Sequence, residues 1–577
     1  REGALVTSRD SNFIHGSVGN GNAKLWINGV EVPVLPNGAF LAFLANPSPD
    51  SARYELMVAL NADTVRKTHA ARILPRRPVL PLAGPLVVDS ASVVPQGVMA
   101  LRDDEAVRVS VRAPTNVFAW VQLDSVARHP LVNGRERPGP PLASVGQGSA
   151  SDSASQRYLG DAEIWATDVP ARLLRNTTHL LVARGSDTVR FPLAPVAHPD
   201  SLPRWVVVGA DSSAVSDTDR VINLRPTPAG TYKWFLLPGT QLELTGRIGD
   251  FVRLRLDSRL EAWANASDVR PLPRNFPAPR RVASNARVVP SDDWVDLVIP
   301  VGERPAFFVE ERDRAIHLTI YNARSSTDII RYVANDTFVR VVNWEQETSD
   351  RIRYSLELVT RPFGYLAFWD RDSLVLRVRK PPAVNPRTPL SGLTIAVDPG
   401  HPPIGATGPT GLYEAVPVLE IGLKLKAILE KRGARVVMTR TTPEPVALGE
   451  RPIIARRADA HALVSIHLNA LPDGVNPFAA HGTGTYFFHP QSAPLARAIQ
   501  TGMVRWMGLR NLGIYYDNLA LARPTWMPAV LCEGAFIMIP EQEAALRTAE
   551  FQTAYALGVA DGLEAYFRAL PAAGRAQ

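Results

Sequence analysis

Residues 393–401 read LTIAVDPGH, and this stretch decides the fold of the chain's last third. Leu393 to Val397 predicts a strand, which ends at the Asp398-Pro399-Gly400-His401 break. Directly downstream, Val418, Ile421, Leu425, Ile428 and Leu429 recur at helical spacing, and Gly433 is placed to end that helix. Further strands are predicted at 436–439, 462–467, 485–488 and 529–532, and helices near 448–459, 492–508 and 547–568. Strands alternating with helices are the signature of an α/β layer structure. Residues 388–572 are therefore expected to form an α/β domain with a mixed twisted sheet flanked by helices.

Upstream, residues 380–389 (KPPAVNPRTP) read as a proline-rich hinge, and before it the pattern changes to short alternating strands. Val107, Val109 and Val111 alternate with Arg108, Ser110 and Arg112. Val252, Leu254 and Leu256 alternate with Arg253 and Arg255, and Ile352, Tyr354, Leu356 and Leu358 repeat the pattern. The expected fold class is thus multidomain, with N-terminal all-β modules followed by the α/β domain. Composition shifts place the modules at 1–78, 79–197, 198–273 and 280–382. In the first, residues 24–34 (KLWINGVEVPV) carry turn chemistry at Asn28-Gly29, repeated at Asn37-Gly38, and the pattern resembles an immunoglobulin-like domain. Residues 75–85 read as a linker and 146–156 (GQGSASDSASQ) as a mobile loop. In 198–273 the order of Tyr232, Trp234, Pro238-Gly239, Gly249-Asp250 and Trp263 resembles bacterial Src-homology-3-like small barrels, and 280–382 resembles AMIN-type targeting domains.

The chain's 577 residues exceed one domain several-fold, while 46% hydrophobic and 21% charged residues are those of ordinary globular protein. A net charge of +7 without a long basic run suits an acidic polymer surface and argues against nucleic acid. One cysteine, Cys532, excludes an intrachain disulfide and leaves the compartment open. No apolar stretch is long enough to span a bilayer. The chain begins at Arg1, and a removed signal peptide is one explanation.

Four chemical features fall at or just after strand ends of the α/β segment, where open sheets place their ligands. These are His401, Glu414 just before the first helix, His467 with Asn469 close behind, and Glu533. Two histidines and a carboxylate make a three-ligand zinc set with an open fourth position. Each residue taken alone reads more readily as structural.

Their order and local words carry more. Residues 391–570 resemble the zinc-dependent N-acetylmuramoyl-L-alanine amidases of the amidase-3 type. The resemblance runs through Asp398-Pro399-Gly400-His401, the loop 408–414, Glu450-Arg451, Ser465-Ile466-His467-Leu468-Asn469, residues 527–531 leading into Glu533, and Pro540-Glu541. It implies that His401, Glu414 and His467 bind Zn2+ and that Glu533 is the catalytic carboxylate. The implied reaction cleaves the amide between N-acetylmuramic acid and L-alanine of the peptidoglycan stem peptide. It also implies a periplasmic or secreted cell-envelope enzyme whose β modules bind wall or an envelope protein.

Pro402-Pro403 departs from the glycines common after the first zinc histidine, stiffens that loop and removes two backbone donors. Asn469 and His481 are candidates for substrate contact, whereas His461 reads as structural and Cys532 as packing. Trp234, Phe235 and Trp263 could line a groove, although core packing is the simpler reading. Residues 469–485 are too short and too rich in Pro and Gly for the autoinhibitory helix of some relatives, so the site is expected to be open without an activator. Two alternatives stay open: a catalytically silent wall-binding or scaffolding protein, and a zinc hydrolase of another envelope amide.

Overall fold

The structure is a computed structural model that describes residues 3, 5–8, 10–48, 52–73, 80–133, 163–209, 221–228, 230–479 and 481–570. The loop expected at 146–156 and residues 75–79 of the expected linker lie outside the described residues.

The described residues up to 379 are built mainly from short strands in small sheets. At the first hairpin, Lys24–Ile27 pairs with Val30–Val32 across Asn28 and Gly29, both at positive φ, the primed turn that this dipeptide favours. Segment 79–197 holds two four-stranded sheets over one core that includes Val107, Val109 and Val111. Two strands from this segment, Met99–Ala100 and Val196–Ala197, join the seven-stranded sheet of the next segment. Segment 280–382 packs a five-stranded sheet against a four-stranded one. Among the described residues no helix is long and apolar enough to cross a membrane.

Strand alternation predicts Arg112 and Arg253 on a solvent face, but both are buried. Arg112 pairs with Glu163. Arg253 pairs with Glu105 of the preceding segment and with Glu261. A guanidinium can leave water where carboxylates and further hydrogen bonds meet it, and local periodicity cannot reveal partners about 50 or 150 residues away.

The C-terminal domain runs β1 (Thr394–Pro399), α1 (Ala415–Lys431), β2 (Arg435–Met438), α2 (Glu450–Arg457), β3 (Ala462–Asn469), β4 (Thr483–Phe487), α3 (Ala493–Met507), β5 (Asn511–Tyr516), β6 (Ala529–Phe536), α4 (Pro540–Leu546) and α5 (Ala549–Arg568). Strand β5 and helix α4 were not expected from the sequence. The sheet order is β2-β1-β3-β6-β4-β5, parallel throughout except where β4 meets β6. Ile395, Val397, Val464, Ile466, Val530 and Cys532 face α1, α3 and α5. The alternate positions Ala396, Leu463, Ala529 and Leu531 face α2, Tyr486 and Trp526. Both faces are covered, so β1, β3 and β6 are buried at every position.

The expected hinge at 380–389 is anchored instead. The Lys380 ammonium donates to Asp336 and to the Ser291 carbonyl, and Arg379 is buried against the Asp459 and Ala460 carbonyls. The Tyr365 amide donates to the Thr525 carbonyl, joining the 280–382 segment to the α/β domain. Prolines set local stiffness, but these contacts decide whether the joint moves. The first module also reaches the last domain. Asp473 accepts from the Thr7 amide and hydroxyl and from Asn12 Nδ2, while the Gly474 amide donates to Asn12 Oδ1. Leu41 completes the contact by packing with Leu471, Phe536, Met538 and Ile539.

Candidate metal centre

Parallel pairing sets the site. Glu533 of β6 lies opposite His467 of β3 in register, and Asp398 of β1 lies opposite Ser465 of β3. Leu463, Ser465 and His467 alternate onto the α2 face, so the polar residues crown that face where β1, β3 and β6 end. His401 follows β1, and Glu414 occupies the N-cap position of α1.

The three ligand-type residues converge. His401 Nε2 lies 3.2 Å and His467 Nδ1 3.3 Å from Glu414 Oε1, and the three atoms lie within 4.8 Å of one another. A tetrahedral zinc with bonds of about 2.0–2.1 Å has ligand-to-ligand edges of about 3.3 Å. The two nitrogens are buried without a hydrogen-bond partner, as is Glu533 Oε2. Three orphaned polar atoms in one buried spot are costly by themselves. A cation held by the His-His-Glu set answers the two nitrogens, so these residues fit a zinc ion.

Glu414 is fully buried, with Oε1 accepting from the Leu468 amide and Oε2 from the Ala406 amide. Burial alone would raise its pKa, yet the adjacent His401 and His467 imidazoles hold it down at about 2. Burial, reinforced by the Glu414 charge, pushes the Glu533 carboxyl well above the usual carboxylate range. The same buried spot thus pushes its two carboxyls in opposite directions, Glu414 down beside the imidazoles and Glu533 up. The His401 and His467 rings meet edge to face with centroids 4.8 Å apart. A side chain at Gly400 would place its Cβ 2.4 Å from the His467 ring, so glycine is required there.

Behind these three residues stands a shell of buried charges. Buried Asp398 pairs with Arg451 at 2.8 Å and accepts from the Thr439 and Ser465 hydroxyls. Arg451 also donates to the carbonyls of Val446, Pro399, His401 and Pro402, and Arg440 donates to those of Pro399, Gly400, Thr442 and Ala415. Every carbonyl from 399 to 402 is thereby held by a guanidinium, which fixes His401 at its positive φ of 54°. A point charge could not do this; the planar fork of Arg451 reaches several carbonyls at once. On the other side, buried Glu543 accepts from the Thr410 amide and hydroxyl and the Leu412 amide, setting the loop that leads into Glu414. The word Glu450-Arg451 was a signal for the first clamp. Nothing local distinguished Glu543 from its neighbour Glu541.

Asn469 is buried with its side chain on the Tyr486 hydroxyl. His481 is half-buried, with Nδ1 3.0 Å from Gln542 Nε2. His461 sits at the opposite end of the sheet, where Nδ1 accepts from the Thr394 amide and burial lowers its pKa to about 4. Cys532 is buried on the α1 face, away from Glu533. Trp234 and Trp263 are core residues, whereas Phe235 is half-buried and lines a cavity.

Residues 395–565 match the family model described as N-acetylmuramoyl-L-alanine amidase. The chain is 32% identical over 208 residues to the probable cell wall amidase LytH of Staphylococcus saprophyticus, covering 35% of this chain and 67% of the relative. It is 32% identical over 183 residues to LytH of Staphylococcus epidermidis, spanning 31% of this chain and 60% of that relative's length. Among solved structures, it is similar to the N-acetylmuramoyl-L-alanine amidase AmiC2 of Nostoc punctiforme, with 32% identity, 30% of this chain and 98% of that one covered, and a TM-score of 0.29. Through its C-terminal domain the chain belongs to the N-acetylmuramoyl-L-alanine amidase family.

Proposed function

We propose that the protein is a zinc-dependent peptidoglycan amidase that cleaves between N-acetylmuramic acid and L-alanine of the stem peptide, working in the cell envelope. The observation that carries the reading is the convergence of His401 Nε2, His467 Nδ1 and Glu414 Oε1 beside the unpartnered carboxyl of Glu533.

His401, Glu414 and His467 are the residues that would hold the metal. Bound zinc supplies Lewis acidity, making water a stronger acid and stabilising negative charge on the amide oxygen. Glu533 takes the proton from the attacking water and returns it to the departing amine. Its burial keeps bulk water from competing for that proton. Arg440 and Arg451 hold the His401 loop, and Glu543 holds the Glu414 loop, so the ligand atoms are placed before substrate arrives. His481, half-buried beside Gln542, is the residue proposed for substrate contact, and Asn469 is proposed to support the site through Tyr486. Residues 470–479 form turns without a helix, which supports a site that needs no activator to uncover it.

The test is mass spectrometry of muropeptides released from purified peptidoglycan by the zinc-loaded full chain, with Glu533→Ala and a chelated sample alongside. Free stem peptides from intact glycan, absent in both controls, are expected. Absence of cleavage across several wall chemotypes would favour a silent wall-binding protein.

A further inference from the structure

Away from the metal centre lies a cavity of about 930 Å³, between segment 198–273, segment 280–382 and the α/β domain. None of the metal-centre residues lines it. Its size is that of sites for small molecules of a few rings.

One wall is aromatic. The Tyr516 and Phe488 rings stack with centroids 5.3 Å apart, and Phe235 meets Phe488 edge-on at 6.0 Å. Strand alternation explains the division of labour in Trp234–Leu236, where Trp234 enters the core and Phe235 turns to the cavity. Tyr516 is 68% exposed, so this wall opens to solvent.

The polar groups are unusual. Arg523 lies over Phe235 at 5.5 Å, and among the described residues its guanidinium makes no hydrogen bond or ion pair. Burial lowers its pKa, the mark of a cation short of compensating charge. Of the cavity's carboxylates, Glu310 is paired with Arg312 at 2.6 Å, and Glu450 lies at the start of α2. Glu311 has a buried Oε2 without a partner, and burial pushes its carboxyl up to about 8. An aromatic wall and an unpaired arginine together suit a ligand with an apolar ring face and a carboxylate.

The reaction proposed above makes such a ligand. Hydrolysis, R–CO–NH–R′ + H2O → R–COO⁻ + R′–NH3⁺, leaves the new carboxylate on the glycan and the amine on the peptide. We propose that this cavity binds the peptide-free amino-sugar strand, with a lactyl carboxylate on Arg523 and a pyranose face on the Phe235, Phe488 and Tyr516 wall. The inference rests on the amidase reading. It makes the cavity a product-strand subsite that keeps the enzyme on stretches already stripped, next to stems still uncut.

Calorimetry with the full chain tests it using three probes: an alternating N-acetylglucosamine/N-acetylmuramic acid oligosaccharide with free lactyl carboxylates, a chitooligosaccharide of equal length, and the free stem tetrapeptide. The stripped glycan is expected to bind at least tenfold more tightly than the chitooligosaccharide, with no binding of the peptide. Arg523→Gln should abolish that difference, and Tyr516→Ala, at an exposed ring, should weaken both sugars. Both variants should turn over a small soluble muramoyl peptide as the parent does. Equal binding of the two sugars, an unaffected Arg523→Gln variant, or preference for the peptide overturns the proposal. Loss of the amidase reading shows separately, as no turnover of the muramoyl peptide while sugar binding is still measured.

Discussion

Replacing Arg451 with lysine keeps a positive charge near Asp398 but removes the planar fork that reaches around the His401 loop. In the parent, this guanidinium donates to Asp398 at 2.8 Å and to the carbonyls of Pro399 at 2.9 Å, His401 at 3.0 Å, Val446 at 3.1 Å and Pro402 at 3.3 Å. An ammonium has three donors and no fork, so at least two of these bonds are lost. Each buried bond contributes about 0.5–1.5 kcal/mol, and more where a buried acceptor is left unpaired. The expected destabilisation is about 2–4 kcal/mol. In a domain of this size that lowers Tm by about 5–15 °C. Because the lost bonds hold the backbone of a proposed ligand residue, zinc affinity should also fall about 10–100-fold, the usual effect of disturbing groups behind a metal ligand. Competition against a chromophoric chelator measures the affinity, and scanning calorimetry of the full chain measures Tm. A variant with lower Tm but parental zinc affinity and turnover would show that Arg451 supports the fold without positioning His401. Arg451→Ala, which strands the Asp398 carboxylate, should cost more, about 3–5 kcal/mol.

Glu533→Gln should lower turnover by about 10²–10⁴-fold while zinc stoichiometry by atomic absorption stays at the parental value, since Glu533 is assigned proton transfer and not ligation. Gly400→Ala should lose zinc and activity together, because the new Cβ would meet the His467 ring at 2.4 Å; retention of one metal per chain would refute that packing. Asp473→Ala removes the acceptor of Thr7 and Asn12 and should raise amide exchange in Ser11–Ser17 and in Ala39–Ala45, read by mass spectrometry, with unchanged exchange counting against the docking contact. Glu311 tests the sign of a pH effect. Its folded pKa of about 8 lies above the ordinary glutamate value of 4.5, so the unfolded chain releases this proton first, and its contribution to stability is lost as pH rises from about 4.5 to 8. Glu311→Gln should therefore gain Tm relative to the parent across that window, and parallel Tm curves for the two proteins would contradict the assignment.

The anchored joint at 380–389 also changes how truncation should be read. Cutting there removes Arg379 and Tyr365 from Asp459 and Thr525 and uncovers Trp526, which is buried. Lower activity of an isolated C-terminal domain would then report lost packing as well as lost targeting.

Much of the centre was readable from the chain alone because its residues sit in short local words at strand ends. A strand must stop at Asp398-Pro399-Gly400, and period-two alternation puts His467 and Glu533 on definite faces of their strands, so residues of ligand type could be marked by position, while the family resemblance implied which of them would bind metal and which would be catalytic. The β character of the first 379 residues was equally legible, through Val107, Val109 and Val111 and the Asn28-Gly29 turn. Only tertiary structure decided the rest. The pairing of Glu533 with His467 depends on register between strands more than sixty residues apart. The burial of Arg112, Arg253, Arg440 and Arg451 depends on distant carboxylates and carbonyls that alternation does not encode. The same holds for the Thr7–Asp473 contact and the Arg523 cavity, each assembled from segments whose own patterns predict only strands, turns and loops. Local sequence sets backbone conformation and the facing of side chains, whereas the partners that make a buried charge tolerable are supplied when the sheets and helices pack.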